Sequence, residues 1–214
     1  MSTPSSLLRL VGVLCLGAIA GQAGEAVPLL DGKTLAGWEG DLTWWRVQDG
    51  EIRGGSFERT VTKNQFLATE KQYQNFDLRL KLRLTGTGFV NRGVQIRSVR
   101  VPNNTEMSGY QIDYGPGWYG KIYDESRRNK VIADSVDPKA VLAAVKEGEW
   151  NEYRILAEGR RIRSWINGVP ALDYTEADLN IATDGKIGIQ IHSGGKAEVQ
   201  VKDIVIEELP ATPA

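Results

Sequence analysis

Residues 76–84 read FDLRLKLRL, and apolar and polar side chains alternate along the whole stretch. One face would carry a phenylalanine and four leucines, and the other an aspartate, two arginines and a lysine. An α-helix repeats about every 3.6 residues and cannot separate this pattern into two faces, whereas a β-strand repeats every two residues and does. The stretch therefore predicts a strand with one face on an apolar core.

The same alternation returns in other segments. Residues 186–193, KIGIQIHS, place Ile187, Ile189 and Ile191 on one side. Asn167-Gly168 is a strong tight-turn dipeptide that indicates a hairpin, and Glu158-Gly159 indicates a hinge between two strands. The remaining strand candidates are NRGVQIRS after a Gly/Thr turn (TGTG), GYQIDYG, GKIYDE, EYRILAEG, RRIRSWING and EVQVKDIVIEEL.

One segment has the features of a helix. In DPKAVLAAVKEG, residues 137–148, Asp137 can cap the amino end, Pro138 suits the first turn and Gly148 suits the end. Many short strands with a single short helix favour an all-β fold, a sandwich or jelly roll of two antiparallel sheets. We expect its core to contain Phe76, Leu78, Leu80, Leu82, Ile187, Ile189 and Ile191.

The amino-terminal residues have the layout of a secretory signal peptide. Arg9 precedes an apolar run, residues 10–20, and small residues follow. We predict cleavage after Ala23, with Ala20 and Ala26 as alternatives, and a secreted or periplasmic protein. The run is shorter than the roughly 20 apolar residues of a membrane span, so no span is expected. Residues 24–214 would form a single domain.

Charge and cysteine content narrow the classes of partner. Cys15 is the single cysteine and falls in the predicted signal peptide, so the mature chain would have no disulfide or thiol chemistry. Removing residues 1–23 takes one of the 26 basic residues and none of the 27 acidic ones, which leaves a formal charge of −2. This balance does not favour nucleic acid or an anionic membrane. We expect a neutral or small partner.

Amides and ionisable groups fall on the strand faces opposite the aliphatic residues. Planar amides and carboxylates can bind the hydroxyls of a sugar, and aromatic rings can cover its apolar face. The alternative is an ordinary solvated face, and it stays open for each residue. The candidate residues are Asn91, Gln95 and Arg97, Gln111 and Asp113, Tyr123 and Glu125, Gln190 and His192, with Trp118 and Arg128 in the neighbouring segments.

Several common catalytic motifs are absent from the sequence. There is no HExxH, CxxC, GxSxG or phosphate-binding glycine loop. The sequence therefore gives no support to a zinc protease, a thiol enzyme, a serine hydrolase with a nucleophile elbow or a nucleotide-binding protein.

Taken in order, the motifs resemble those of a known family. They are DGKTLAGW, WRVQDGEI, QNFDLRLKLRL, NRGVQIRS, GYQIDYG, GKIYDESRR, GEWNEYRI, INGV and GKIGIQIHSG. From about residue 28 to residue 209 the chain is similar to the 3-keto-disaccharide hydrolase family, which implies a concanavalin-like jelly roll. Family members often have Asn-Ser-Gly where this chain has Asn91-Arg92-Gly93.

The resemblance implies an enzyme that cleaves glycosides oxidised to a ketone at C3 by an upstream sugar 3-oxidoreductase. The ketone acidifies the C2 proton, and the resulting enolate can expel the glycosidic oxygen by β-elimination, with net hydrolysis if water adds back. His192 has a pKa suited to a base and Arg97 a permanent charge suited to the oxyanion. Asp113 and Glu125 could orient the histidine, act as the acid or ligate a divalent metal. Which of the three residues is the base stays open. Predicted substrate-binding residues are Asn91, Gln95, Gln111, Trp118, Tyr123, Arg128 and Gln190.

Two other functions fit the same pattern. One is a non-catalytic, lectin-like carbohydrate-binding module, because many polar faces of jelly rolls only bind sugars. The other is a scaffold or envelope interaction domain, which would have no affinity for small sugars. Replacing His192 separates the first from an enzyme, since a binding face would lose modest affinity and an enzyme would lose turnover.

Overall fold

The computed structural model describes residues 24–88 and 91–212. The predicted signal peptide, residues 1–23, lies outside these residues, so its cleavage and the export of the chain stay predictions. The described residues form fifteen β-strands and one α-helix. The elements are β1 (Val27–Pro28), β2 (Trp38–Glu39), β3 (Trp45–Gln48), β4 (Glu51–Gly55), β5 (Gln65–Tyr73), β6 (Phe76–Gly88), β7 (Arg92–Arg100), β8 (Met107–Tyr114), β9 (Ile122–Glu125), β10 (Val131–Ala133), α1 (Pro138–Ala144), β11 (Asn151–Glu158), β12 (Arg161–Ile166), β13 (Val169–Thr175), β14 (Gly185–Ile191) and β15 (Gly195–Glu208).

The strands form two antiparallel sheets. The eight-stranded sheet has the order β13-β12-β11-β6-β15-β4-β3, and β1 also pairs with β15. The seven-stranded sheet has the order β10-β9-β8-β7-β14-β5-β2. Strands that are neighbours in a sheet are often far apart in the chain, as β14 is from β5 and β7. The candidate site residues of β7, β8, β9 and β14 therefore lie on four consecutive strands of one sheet.

One apolar core lies between the sheets and is built from the alternating faces that the sequence predicts. Leu78 of β6 pairs with Ile155 of β11 and Ile206 of β15, and all three are fully buried. Each such side chain stabilises the fold by about 1.5–3 kcal/mol when it leaves water. Phe76, Leu80, Leu82, Ile187, Ile189 and Ile191 are also buried. The predicted jelly-roll sandwich and its core are confirmed.

The predicted helix begins where expected and ends earlier. The Asp137 carboxylate accepts a hydrogen bond from the Ala140 amide at 3.0 Å, which caps α1. The helix ends at Ala144, so the prediction that it extends towards Gly148 was wrong. Asn151 explains the early end, because its side chain bonds both the amide and the carbonyl of Lys146, each at 2.8 Å. Those backbone groups are no longer available to a helix.

The predicted turn at residues 85–88 is strand instead. This Gly/Thr segment continues β6 to Gly88, and Gly86 pairs with Ala197 of β15. A Cβ at Gly86 would lie 2.4 Å from the Ala197 Cα, so the close approach of the two strands requires glycine. The hairpin at Asn167-Gly168 is confirmed, with positive φ at both residues as a type I′ turn needs.

The polar face of the seven-stranded sheet is covered rather than solvated. Gln95, Gln111, Asp113 and Gln190 are at most 2 % exposed, although they point away from the core. Burial of polar groups is costly unless they bond one another, so these residues form a structured site.

Among the described residues, no helix is long and apolar enough to cross a membrane.

Candidate functional site

A small pocket of about 160 Å³ opens on the polar face of the seven-stranded sheet. Strands β8 and β9 supply much of its wall, because Gln111 pairs directly with Tyr123 and the next outward residues on each strand are Asp113 and Glu125. His192 follows the last residue of β14 and closes the opposite side. The pocket is lined by Asn64, Asn91, Gln111, Asp113, Trp118, Tyr123, Glu125 and His192.

Glycine shapes the floor of the pocket. Gly93 pairs with Asp113 across β7 and β8, and a Cβ there would lie 2.2 Å from the Gln111 Cγ. The missing side chain leaves room for Gln111 to lie over β7. From that position the Gln111 amide donates to Asp113 Oδ1 at 2.8 Å. Gln111 therefore fixes the orientation of the Asp113 carboxyl.

Asp113 is fully buried, and its second oxygen, Oδ2, has no partner among the described residues. Burial raises the pKa of Asp113 to about 8, and the nearby Glu125 charge adds to the effect, while the bond from Gln111 and the neighbouring Asn91 amide oppose it. The carboxyl therefore carries a proton at neutral pH. It can act as a general acid towards a group in the pocket.

Glu125 is the second carboxyl of the pocket. Burial raises its pKa to about 7, with a further contribution from the nearby Glu106, while the Ser126 amide and the Gln190 side chain oppose the rise. Gln190 donates to Glu125 Oε2 at 3.4 Å. Near neutral pH, Glu125 can therefore hold or release a proton, whereas Asp113 mostly holds one.

His192 is the imidazole that lines the pocket. Its Nδ1 lies 2.8 Å from the Ser193 carbonyl oxygen. Because a carbonyl can only accept, Nδ1 carries the hydrogen in this bond, and Nε2 is the acceptor of the neutral ring. Burial lowers the pKa of His192 below 6.5, and the positive charge of Arg92 adds to this. The imidazole is therefore neutral at pH 7, as a general base must be.

Two aromatic rings form one wall. Trp118, in the loop between β8 and β9, packs edge-to-face on Tyr123, with ring centroids 6.3 Å apart. The arrangement holds both rings in place and offers an apolar surface next to the polar floor. This combination suits a sugar, which has apolar faces and polar edges.

The structure brings Asp113, Glu125 and His192 together and leaves Arg97 out. A β-bulge in β7 gives Arg97 a φ of 48°, which breaks the alternation of side chains. Its guanidinium donates to the carbonyls of Gln74 and Gly159, in the turns β5–β6 and β11–β12. The prediction that Arg97 lies on the polar face beside His192 was wrong.

Three predicted substrate-binding residues do not line the pocket. Arg128 bonds the carboxylates of Asp124 and Glu176, on the core side of β9, so its predicted place at the site was wrong. Gln95 donates to Gln111 at 3.3 Å and lies beneath it. Gln190 reaches the pocket through its bond to Glu125. The two glutamines support residues that line the pocket.

Asn64 is a pocket residue that the sequence reasoning missed. It lies just before β5, and its amide oxygen accepts the Ser193 amide hydrogen at 2.9 Å, which holds the segment next to His192. The pairing of Gln65 with Ile191 brings the two segments together. Nothing local marks this asparagine, because the signal lies in the pairing of β5 with β14.

Arg92, noted in the sequence for its unusual place, is also buried. Its Nη1 bonds the Asn91 carbonyl, and its Nε and Nη2 have no partner among the described residues. It lies on the β7 face of Val94 and Ile96 and acts on His192 through its charge.

The described residues contain no group of three or more His, Cys, Asp or Glu arranged to hold a metal ion. A divalent metal at the pocket stays a prediction from the sequence.

Solved structures of similar fold include three whose names refer to carbohydrates. A proposed glycosyl hydrolase from Parabacteroides distasonis is 20 % identical over 87 % of this chain and 94 % of its own, with a TM-score of 0.64. The carbohydrate-binding module CBM66 of Bacillus subtilis is 14 % identical over 80 % and 96 %, with a TM-score of 0.58. A β-glucanase of Bacillus licheniformis is 10 % identical over 89 % and 100 %, with a TM-score of 0.58. At these identities the likeness shows the fold alone.

The fold and the family model together define a jelly-roll protein of a glycosyl-hydrolase-like, carbohydrate-active family. The model of the 3-keto-alpha-glucoside-1,2-lyase-like domain matches residues 25–207. The chain belongs to this family, and the family resemblance found in the sequence is confirmed. No curated protein sequence matches the chain.

Proposed function

We propose that the protein cleaves the glycosidic bond of 3-keto-glycosides by elimination across C1 and C2. The observation that carries the proposal is the placement of Asp113, Glu125 and His192 in one pocket, with a protonated acid and a neutral base at the same pH. Two titratable groups whose surroundings move their pKa values apart are the usual basis of acid–base catalysis. The family of the chain supports the same chemistry.

His192 is the base in this proposal. Nε2 takes the C2 proton, which the C3 ketone has made acidic, and the electron pair of the C2–H bond becomes an enolate. The Ser193 carbonyl accepts from Nδ1–H and stabilises the imidazolium that forms. The lowered pKa keeps the imidazole neutral before the reaction.

Asp113 is the acid. As the C1–O bond breaks, the electron pair of the enolate forms the C1=C2 bond and the leaving oxygen takes the proton of Asp113. The products are an unsaturated 3-keto sugar and the free aglycone, and addition of water to C1 would give net hydrolysis. His192 returns its proton to solvent and Asp113 regains one, which restores the starting state.

The enolate oxygen needs hydrogen-bond donors. The Tyr123 hydroxyl and the amides of Asn64 and Asn91 line the pocket and can supply them. With Arg97 held at the turns, these neutral groups take the role that the sequence assigned to an arginine.

The size of the pocket limits the substrate. At about 160 Å³ it is much smaller than the roughly 300–1,000 Å³ of sites for drug-sized ligands. One sugar ring fits, and the rest of the substrate must extend into solvent. We therefore propose that the enzyme acts on disaccharides and other small 3-keto-glycosides or on terminal residues. A sugar 3-oxidoreductase would supply the ketone, and the predicted signal peptide would place the reaction outside the cytoplasm.

The test is release of aglycone from a p-nitrophenyl 3-keto-glucoside, with the unoxidised glucoside as the control substrate. We expect release only from the ketone, because only the ketone acidifies C2. His192→Ala should lower kcat by about 10²-fold or more, whereas Lys33→Ala, in an exposed loop, should not change it. Equal cleavage of the unoxidised glucoside would exclude elimination. Full activity of His192→Ala together with loss of activity in Glu125→Gln would show that Glu125 is the base.

A binding module is the second candidate, favoured by the aromatic wall of Trp118 and Tyr123 beside buried amides. In that case sugars would bind without turnover. His192→Ala would then reduce the affinity modestly in calorimetry. Neither the unaltered protein nor any variant would convert the sugar into a product.

A further inference from the structure

The outer face of the eight-stranded sheet contains a second concave surface. Two adjoining hollows of about 440 and 410 Å³ share Lys81 and Glu152, and each is larger than the pocket on the other sheet. One hollow contains Trp165 and the other contains Trp150. The proposed reaction uses no residue of this face.

Cationic side chains are held in place on both tryptophans. Lys202 Nζ lies 4.2 Å and Arg83 Cζ lies 4.7 Å from the Trp150 ring centroid, and Arg154 Cζ lies 4.8 Å from that of Trp165. Contact with an aromatic face restrains long side chains that would otherwise be mobile. Because these side chains are already restrained, they lose less conformational entropy when they bind an anion.

The two hollows differ in charge balance. At Trp165, Arg154 is paired with Asp77. At Trp150, neither Lys146 nor Lys202 has an ion pair among the described residues, and Arg83 bonds only the amide of Gln200. Lys81 is paired with Asp203 at 2.9 Å, and Glu152 is the one carboxylate among the described residues that line this second hollow. Positive charge therefore remains uncompensated at Trp150, in a chain whose formal charge is −1.

We propose that the hollow lined by Lys81, Lys146, Trp150, Glu152 and Lys202, named the Trp150 groove, binds an acidic oligosaccharide with uronate carboxylates. The ammonium groups would bind the carboxylates, and Trp150 holds the Lys202 ammonium and the Arg83 guanidinium in place for them. Glu152 accepts hydrogen bonds from hydroxyls and repels dense polyanions. This combination fits a sugar acid better than a nucleic acid.

The groove lies on the opposite side of the core from the pocket. Its strands, β6, β11 and β15, belong to the eight-stranded sheet, whereas the pocket belongs to the seven-stranded sheet. A bound polysaccharide would hold the protein without blocking the pocket. The inference does not depend on the proposed reaction, so either can fail without the other.

Calorimetry of the whole protein with galacturonic acid oligomers tests the inference, with galactose oligomers of the same length as neutral probes. We expect binding of the acidic oligomer alone, weakened by added salt. Lys146→Gln combined with Lys202→Gln should weaken it about tenfold or more, which corresponds to about 1.4 kcal/mol. The matched control combines Lys33→Gln with Lys139→Gln, which removes the same charge from exposed lysines outside the groove, and should bind like the unaltered protein.

Four results would overturn the inference. They are no binding of the acidic oligomer, equal binding of the neutral one, unchanged affinity in the Lys146/Lys202 double variant, and tighter binding of single-stranded DNA than of the uronate. Circular dichroism of each variant shows whether the fold is retained. If the double variant fails to fold, the salt dependence and the comparison with the neutral oligomer still decide.

Discussion

Asp113 combines a useful protonation state with a cost in stability. Its pKa rises from 3.8 in the unfolded chain to about 8 in the folded one, chiefly through burial. Between these values the folded state holds a proton that the unfolded state has released. The free energy of unfolding therefore falls as the pH rises through this window. The proposed acid thus weakens the fold at neutral and alkaline pH.

Asp113→Asn should therefore stabilise the protein at pH 8 and abolish turnover. The amide cannot ionise, and its oxygen can still accept the bond from Gln111. The variant should have a higher free energy of unfolding than the unaltered protein. This gain, measured by urea denaturation, should be larger at pH 8 than at pH 4 by about 1 kcal/mol or more. The same difference at both pH values would show that Asp113 does not titrate in this range.

The pH profile of kcat/KM identifies the base. The alkaline limb should fall near pH 8, where Asp113 loses its proton. The acid limb should lie below pH 6.5 if His192 is the base, and near pH 7 if Glu125 is. Glu125→Gln separates the two, since a profile that keeps its acid limb in this variant assigns the limb to His192. If the profile of the unaltered protein has no alkaline limb, Asp113 is not the acid.

Strand β7 shows how one irregularity changes the role of a residue. The bulge between Ile96 and Val99 turns Arg97 away from the pocket and towards two turns that it joins. The guanidinium is buried with only 4 % of the residue exposed, and its bonds to carbonyls tie the β5–β6 turn to the β11–β12 turn. Arg97 thus connects the two sheets at one end of the sandwich.

Arg97→Ala should lower stability and leave catalysis intact. The variant leaves the part-buried carbonyls of Gln74 and Gly159 without their donor, which should cost about 2 kcal/mol or more in the free energy of unfolding. At a temperature where the variant is folded, kcat for the 3-keto-glucoside should match that of the unaltered protein. A large fall in kcat in a variant with a normal circular dichroism spectrum would show that Arg97 takes part in the reaction.

The two sheets share one core, so the molecule should unfold as a unit. Leu78 is fully buried between Ile155 and Ile206 and belongs to the core cluster that contains residues of both sheets, so its truncation leaves a cavity in that shared core. Leu78→Ala should lower the free energy of unfolding by about 2–5 kcal/mol. Urea transitions followed by far-ultraviolet circular dichroism and by tryptophan fluorescence should still coincide. Separate transitions would mean that each sheet has a core of its own.

The same core separates the pocket from the Trp150 groove. Each surface lies on the outer face of its own sheet, and the buried layer between them is apolar. A sugar ring in the pocket and an acidic chain in the groove would therefore contact no common residue. If both proposals hold, the protein would stay near a polymer while it processes small glycosides.

The sequence by itself determined which side chains face the core, because the alternation along a strand is a local property. Phe76 and Leu78 on β6 and Ile187 and Ile189 on β14 are buried as their spacing predicts. The order of the motifs also identified the family, since that order is read directly from the chain. Local rules placed the cap of α1 at Asp137 for the same reason.

Only the tertiary structure decided how the polar residues meet. The pairing of β5 with β14 brings Asn64 to Ser193, and the bulge in β7 removes Arg97 from the pocket. Both depend on contacts between segments far apart in the chain, which no local pattern encodes. The burial of Asp113, and with it a pKa that suits an acid, arises because neighbouring strands and a loop cover the face that alternation alone would leave in water.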